Sequence, residues 1–199
     1  MTPVAVFCSG HGSNFQALLD ATVRKKGRLP VRIALMISDN PKAYAIRRAA
    51  LAGVPVCCLK PQLFPDRSAY EKVLIGILRS QKVEVVALAG FMRIFTPAFI
   101  RAYRGRIVNI HPSYLPAFKG AHAIRDAYRA GVRRTGVTVH LVTAKVDAGP
   151  VLAQKRVPVR RGDTLAALEA RVHRTEHRLY PEALGRFVRS LRKKPSARR

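Results

Sequence analysis

Residues 3–15, PVAVFCSGHGSNF, decide the fold class of this 199-residue chain. Pro3–Cys8 is an uninterrupted apolar run of strand length, Ser9–Asn14 is a turn with two glycines, and Phe15–Arg24 carries apolar residues at helical spacing. A strand that is apolar throughout is typical of a parallel sheet that is buried on both faces. A glycine turn that leads such a strand into a helix indicates the start of a β–α unit.

The alternation of strand and helix continues through the rest of the chain. Apolar runs predict six further strands, at Val31–Ile37, Val54–Leu59, Val83–Ala89, Arg106–Ile110, Gly136–Val142 and Val151–Val159. Amphipathic segments predict helices at Pro41–Ala52, Asp66–Arg79, Ala121–Ala130 and Thr164–Arg192, with Asp66 as a cap and Pro181 as a candidate break. The last two strands are joined only by residues 147–150, too few for a parallel crossover, so we expect them to pair antiparallel. The prediction is an α/β protein with a Rossmann-like, mixed but mostly parallel sheet and helices on both faces.

Composition limits the classes of protein to which the chain can belong. Hydrophobic residues make up 48% of the sequence, which is enough for a core and argues against global disorder. Three cysteines, none of them in a CxxC spacing, argue against a disulfide framework or a zinc site. The first residues lack the cationic start of a secretory leader, and no apolar run approaches the roughly 20 residues that span a bilayer. We therefore expect a cytoplasmic protein without a membrane partner.

The charge balance of the chain is strongly basic. The sequence has 37 Lys and Arg against 11 Asp and Glu, which gives a net charge of +26. Most basic side chains therefore have no acidic partner, and they must face water or an anionic ligand, nucleic acid or lipid. A nucleic-acid-binding protein is thus an alternative of a different class. Aromatic residues make up only 7%, and no basic motif with interleaved aromatics occurs, which argues against this alternative.

The glycine turn after the first strand is a candidate anion site. Glycines let the backbone come close to a ligand, and the N-terminus of the following helix offers unpaired N–H groups to a phosphate. The sequence Gly10-His11-Gly12-Ser13-Asn14 is neither a Walker loop nor a complete GxGxxG motif. The alternative is an ordinary turn in which Ser13 or Asn14 only caps the helix.

A second candidate site lies at the end of the fifth predicted strand. Asn109 and His111 are two residues apart in an extended segment, so their side chains point the same way at a sheet edge where ligand crevices form. Asp147 lies in a tight loop between two later strands. A carboxylate beside His111 would orient the imidazole and favour its protonated form. The alternative is that all three are ordinary turn residues.

The remaining histidines predict no metal site. His122 and His140 fit ordinary polar or packing positions, and His11 fits a residue that only lines the glycine loop. None of them has metal-ligand spacing with another histidine. His173 and His177 are four residues apart, but the glutamate that would have to follow the first histidine of a zincin motif is missing.

Five longer blocks of sequence contain the candidate site residues and their surroundings. They are SGHGSN (9–14), LAGFMRIFTPAFI (88–100), NIHPSYLPAFKGAHA (109–123), GVTVHLVTAKVDAGPVLAQ (136–154) and EHRLYPEAL (176–184). In this order, over about residues 3–187, they resemble the phosphoribosylglycinamide formyltransferase family. The resemblance implies a formyltransferase fold, with a single domain over residues 1–187 and a basic C-terminal tail over 188–199. His11 and Ala148 depart from the commonest family pattern, which has Asn at the first position and Gly or Thr at the second.

The resemblance also implies an activity and a set of site residues. The activity is transfer of the formyl group of 10-formyltetrahydrofolate to the amine of phosphoribosylglycinamide in de novo purine synthesis, without a metal. The catalytic trio falls on Asn109, His111 and Asp147. Contacts to the substrate phosphate and ribose fall on Gly12, Ser13, Asn14 and Glu176. Contacts to the folate fall on Arg67, Met92, Arg93, Ile94, Phe95, Asn109, Thr143, Val146 and Asp147.

The expected chemistry is direct attack of the amine on the formyl group. No Ser or Cys lies beside a base in these motifs, so no formyl-enzyme is predicted. Asn109 would donate to the formyl oxygen, while His111, held protonated by Asp147, would stabilise the oxyanion and act as a general acid.

The nearest alternatives are other 10-formyltetrahydrofolate enzymes. Methionyl-tRNA formyltransferase has an additional C-terminal domain and a different loop sequence, and formyltetrahydrofolate deformylase normally has an N-terminal regulatory domain. The expected partners are the two small-molecule substrates, with nucleic acid contacted at most non-specifically and a homodimer left open.

Overall fold

The computed structural model describes residues 1–23 and 28–193, and in these residues seven strands form one sheet. The strands are β1 (Thr2–Phe7), β2 (Val31–Ser38), β3 (Val56–Cys58), β4 (Val85–Leu88), β5 (Ile107–His111), β6 (Arg134–Leu141) and β7 (Val151–Pro158). Their order across the sheet is β3-β2-β1-β4-β5-β6-β7. Strands β1 to β5 are parallel, while β6 is antiparallel to both β5 and β7. The predicted mixed, mostly parallel sheet is therefore confirmed, together with the antiparallel pairing of the last two strands.

Six α-helices connect and flank these strands in the described part of the chain. They are α1 (Ser13–Val23), α2 (Tyr44–Leu51), α3 (Arg67–Ser80), α4 (Pro97–Ala102), α5 (Ala123–Arg129) and α6 (Leu165–Lys193), with a 3₁₀ turn at Pro61–Leu63. Asp66 caps α3 as predicted, because its carboxylate accepts the N–H of Ala69 at 2.7 Å. No helix in the described residues is long and apolar enough to cross a membrane.

The helices cover both faces of the sheet, as predicted. Alternate residues of β1 enter opposite cores: Val4 and Val6 pack in a cluster with α1, α2, α5 and α6, whereas Ala5 and Phe7 pack with α3 and α4. The ring of Phe7 makes edge contacts with Phe91, Phe95 and Phe99. Burial on both faces explains why the strand has no polar alternation in its sequence.

Three sequence expectations about helices need correction. Helix α2 begins at Tyr44, not at Pro41, because Pro41 and Lys42 form a turn in which the side chain of Asn40 accepts the Lys42 N–H. Helix α4 was not expected, although Thr96 caps it and Pro97 opens it. Helix α1 begins at Ser13, two residues before the predicted start at Phe15, whereas its predicted end at Arg24 lies outside the described residues.

Helix α6 continues through Pro181, so the candidate break is wrong. Its apolar face, including Tyr180, Leu184 and Val188, is fully buried, and this packing compensates for the backbone hydrogen bond that a proline cannot make. The described part of the helix runs to Lys193, so the first six residues of the expected tail, 188–193, are helical, and residues 194–199 lie outside the described chain. The third strand is also shorter than expected, Val56–Cys58 instead of Val54–Leu59.

Candidate active site

The glycine turn after β1 forms a cradle at the N-terminus of α1. Gly12 has a φ of +73°, and a Cβ at this position would lie 2.7 Å from the Cβ of Ala45, so only glycine lets α2 pack against the loop. The loop is tied to two neighbouring strands, because Ser9 accepts the Met92 N–H and the Asn40 side chain donates to the Ser9 carbonyl. These contacts fix the backbone of residues 12–14 at the N-terminus of α1, where N–H groups are available to a ligand.

At the carboxyl end of β5, the amide of Asn109 faces an imidazole from β6. The two strands pair Asn109 with His140, and Nδ2 of Asn109 lies 3.1 Å from Nε2 of His140. The other ring nitrogen, Nδ1, lies 3.0 Å from the carbonyl oxygen of Leu141, which can only accept. Nδ1 therefore carries the proton and Nε2 accepts from Asn109. Burial lowers the pKa of His140, in agreement with a neutral ring.

In the imidazole of His111 it is Nε2, and not Nδ1 as in His140, that bonds to a backbone carbonyl. Its Nε2 lies 2.9 Å from the carbonyl oxygen of Phe118 and must donate to it. Its Nδ1 lies 3.5 Å from Oδ2 of Asp147. His111 is only 5% exposed, so its Nδ1, which faces the Asp147 carboxylate, is largely shielded from water. The arrangement leaves Nδ1 as the nitrogen that faces Asp147.

Asp147 lies between the two imidazoles. Its φ of +48° is in the left-handed region that Asp tolerates better than most residues. Its Oδ2 accepts the N–H of Gly120 at 2.9 Å, and its Oδ1 lies 3.7 Å from Nε2 of His140. The structure thus brings Asn109 and His111, both on β5, together with Asp147 from the loop between β6 and β7.

One cavity of about 810 Å³ joins this cluster to the cradle. Of the residues predicted for the site, it is lined by Gly12, Ser13, Asn14, Met92, Arg93, Ile94, Phe95, Asn109, His111, Thr143, Val146, Asp147 and Glu176. Arg67 does not line it. Arg67 lines an adjoining cavity of about 510 Å³, which shares the segment 92–95 with the first.

Helix α6 forms one wall of the larger cavity and places a buried carboxylate there. Glu176 is 3% exposed, and its Oε2 accepts a hydrogen bond from Nδ1 of His173 at 2.7 Å. This hydrogen bond raises the pKa of His173. Burial lowers the pKa of the neighbouring His177, whose Nε2 has no hydrogen-bond partner in the described residues. Glu176 therefore places a buried carboxylate in the lining of the larger cavity.

Sequence reasoning missed two residues of this site. His140 was treated as a packing residue, because its position opposite Asn109 is visible only once the antiparallel pairing of β5 and β6 is known. His173 was considered only as part of a metal motif, whereas it binds the side chain of Glu176. Within residues 1–23 and 28–193 no group of three or more His, Cys, Asp or Glu side chains is placed to hold a metal ion.

Comparison with known proteins gives consistent similarities over nearly the whole chain. A family model described as formyl transferase matches residues 2–184. The chain is 42% identical over 188 residues to the phosphoribosylglycinamide formyltransferase of Bacillus subtilis, covering 94% of this chain and 95% of that protein. The glycinamide ribonucleotide transformylase 1 structure from Geobacillus kaustophilus is 49% identical with a TM-score of 0.90, covering 94% of this chain and 98% of that one.

A longer animal protein also contains a similar segment. The chain is 41% identical to part of the human trifunctional purine biosynthetic protein adenosine-3, over 91% of this chain and 18% of that protein. The cradle, the end of β5, the Asp147 loop and Glu176 all lie within the residues that the family model matches.

Proposed function

The chain belongs to the formyl transferase family, and on that premise we propose that it transfers the formyl group of 10-formyltetrahydrofolate to the amine of 5′-phosphoribosylglycinamide, in the cytoplasm, as a step of purine synthesis. One observation carries the proposal. A single cavity contains an anion cradle, a buried carboxylate and a cluster of amide, imidazole and carboxylate. Its volume of about 810 Å³ is in the range of small-molecule sites.

The substrate that accepts the formyl group fits the side of the cavity between α1 and α6. Its phosphate would bind the backbone N–H groups and side chains of Gly12, Ser13 and Asn14 at the positive end of α1. Glu176, fixed by His173, would accept hydrogen bonds from the ribose hydroxyls. The amine would then reach toward the Asn109 end of the cavity.

The formyl donor fits the opposite side, along the segment 92–95 and the loop 143–147. Arg67 has no carboxylate partner in the described residues, and its only hydrogen bond there is to the carbonyl of Ile94, at 3.4 Å. Its guanidinium is therefore available for a carboxylate of the donor's glutamyl end. Arg93 is less available, because its Nε is paired with Asp39 at 2.8 Å.

The reaction needs a donor for the oxygen that becomes negative. The amine nitrogen attacks the formyl carbon with its lone pair, and the π electrons of the carbonyl move onto oxygen. One N–H of Asn109 is engaged by His140, so the amide is oriented and its second N–H is free for this oxygen. Such a donor is worth about 2.7–4 kcal/mol in other enzymes with an oxyanion hole.

The second requirement is a proton transfer between two nitrogens. The attacking nitrogen loses a proton, and the donor nitrogen gains one as its bond to the formyl carbon breaks. Nδ1 of His111 carries a mobile proton next to Asp147, while Nε2 stays bonded to Phe118. His111 stabilises the oxyanion with this proton, and Asp147 accepts a proton through water as the adduct collapses.

The test is a formyl-transfer assay with the purified protein. We expect tetrahydrofolate to be released only when both phosphoribosylglycinamide and 10-formyltetrahydrofolate are present. Release without the amine substrate would indicate a deformylase, and transfer to methionyl-tRNA would indicate the tRNA enzyme. Either result, without transfer to phosphoribosylglycinamide, overturns the proposal.

A further inference from the structure

The imidazole of His11, at the mouth of the cradle, belongs to a cluster whose other members come from α2. The ring of His11 stacks on Tyr44 with 5.1 Å between ring centroids and 15° between planes. The guanidinium of Arg48 lies 4.9 Å from the centre of the Tyr44 ring, and its Nη2 is 3.3 Å from Nδ1 of His11. Arg48 also donates from Nε to the carbonyl oxygen of His11 at 3.0 Å. His11, Tyr44 and Arg48 are called the His11 cluster below.

The packing of α2 against the glycine turn sets this arrangement. Ala45 contacts Gly12 and donates its N–H to the carbonyl oxygen of Gly10 at 3.2 Å. Tyr44 and Arg48 therefore lie against the back of the turn, while His11 lines the cavity together with residues 12–14. Tyr44 and Arg48 thereby fix the position of the His11 side chain in the lining of the cavity.

The contact to Arg48 determines which nitrogen of His11 carries the proton. A guanidinium can only donate, so Nδ1 of His11 accepts and a neutral ring has its proton on Nε2. No group in residues 1–23 or 28–193 hydrogen-bonds to that Nε2. The ring thus offers a fixed N–H donor beside a backbone cradle for anions.

The charge of Arg48 supports an anionic occupant. Arg48 makes no ion pair with a carboxylate in the described residues; its Nη1 donates to Gln16, which in turn donates to Asp20. The positive charge of Arg48 is not neutralised by these contacts. It polarises the imidazole of His11 and strengthens the Nε2–H of that ring as a hydrogen-bond donor.

Resting on the proposed function, we propose that His11 is a further phosphate-binding residue, whose Nε2–H donates to the substrate phosphate held by residues 12–14. Tyr44 and Arg48 are positioning residues that stack the ring and fix its tautomer. The phosphate thereby gains a side-chain donor in addition to the backbone donors of the cradle, and recognition of the phosphorylated substrate depends on His11.

The decisive variant is His11→Phe, which keeps an aromatic ring on Tyr44 but removes both ring nitrogens. We expect KM for phosphoribosylglycinamide to rise about tenfold, as for the loss of one hydrogen bond to a charged group, with kcat changed less than twofold. KM for the dephosphorylated substrate should not change. Arg47→Gln is the matched control, because Arg47 lies 5.9 Å from the centre of the same Tyr44 ring, and it removes one charge without a contact to His11.

Arg48→Gln tests the positioning role. It should raise KM for the phosphorylated substrate while leaving kcat and the KM for the dephosphorylated substrate unchanged. Equal effects of Arg48→Gln and Arg47→Gln would show a general charge effect and overturn the positioning role of Arg48. An unchanged KM in His11→Phe would overturn the proposal. An increase in KM for both the phosphorylated and the dephosphorylated substrate would show that the mutated residue has only a structural role, and it would also overturn the proposal.

A binding measurement separates this inference from the proposed function. Titration of the protein with ribose 5-phosphate, followed by nuclear magnetic resonance, needs no turnover. His11→Phe should weaken this binding about tenfold relative to the wild type and to Arg47→Gln. Unchanged binding contradicts the role of His11 even if the transfer assay succeeds. Weakened binding supports it even if the formyl acceptor is a different phosphorylated amine.

Discussion

Each of the two imidazoles next to Asp147 has one nitrogen bonded to a backbone carbonyl. In His140 this is Nδ1, so Nε2 is left to accept from Asn109; in His111 it is Nε2, so Nδ1 is left facing the carboxylate. Because a different nitrogen bonds to the carbonyl in each ring, a different nitrogen is left free to face the site. In the proposed reaction, His140 orients the amide as a neutral group and His111 moves a proton.

Loss of the proton-carrying pair should slow the chemical step. We expect His111→Ala and Asp147→Asn each to lower kcat by about 10²–10⁴-fold, because each removes acid–base assistance from the transition state. Binding of phosphoribosylglycinamide should change little, since the cradle and Glu176 are untouched. Steady-state kinetics with both substrates measure this effect, and near-normal turnover in either variant contradicts the assigned roles.

The burial of His140 should appear in the pH dependence of stability. Its pKa is lowered mainly by burial, so below the unfolded value near 6.5 the unfolded chain takes up a proton that the folded chain resists. This contribution makes the protein less stable as the pH falls through that region. His173 acts in the opposite direction, because its pKa is raised by Glu176.

Comparison with a variant isolates the contribution of His140. The urea midpoint of the wild type should fall more between about pH 7.5 and about pH 5.5 than that of His140→Gln, which has no group titrating at this position. The same loss in both proteins would show that His140 is not held neutral.

At the scale of elements, the contact between the glycine turn and α2 determines the shape of the cradle. Gly12→Ala should destabilise the protein and weaken phosphate binding, because the new Cβ meets both a left-handed φ and the side chain of Ala45. Gly53→Ala is the matched control, since Gly53 has a φ of +64° but nothing within 4 Å of the added Cβ.

The two glycine variants should differ measurably. Gly53→Ala should cost about 1–2 kcal/mol, the usual penalty for a left-handed residue with a Cβ. Gly12→Ala should lower the free energy of unfolding by more than Gly53→Ala does, and urea unfolding of the two variants measures the difference. Equal costs would mean that α2 shifts to accept the methyl group.

The sequence predicts elements well where one local signal dominates. The apolar strands, the turn at 9–14 and the cap at Asp66 need no knowledge of distant residues. The break expected at Pro181 was wrong because buried contacts along α6 outweigh the local effect of proline. His140 could not be assigned, because its role depends on which strand lies beside β6.

For the whole molecule, the dominant physical property is the charge of +26. On α6, Arg174, Arg178 and Arg186 are exposed. Both proposed substrates are anions, so a positive surface should increase their rate of encounter. The effect must weaken with salt, because the Debye length falls from about 30 Å at 0.01 M to about 8 Å at 0.15 M.

The salt dependence of catalysis tests this steering. Lowering the ionic strength from about 0.15 M to about 0.01 M should raise kcat/KM for phosphoribosylglycinamide while kcat stays constant. A parallel fall of kcat, or no change in kcat/KM, would show that the surface charge does not assist substrate capture.

The central claim is that the formyl group passes directly from the folate to the substrate amine beside Asn109, His111 and Asp147. A single-turnover reaction with a ¹³C-labelled formyl group tests it most directly, because the label can be followed on donor, product, protein and free formate. The account predicts that the label leaves 10-formyltetrahydrofolate at the rate at which it appears on the amine of phosphoribosylglycinamide, with none on the protein. Label found on the protein before product forms, or released mainly as formate, would contradict it.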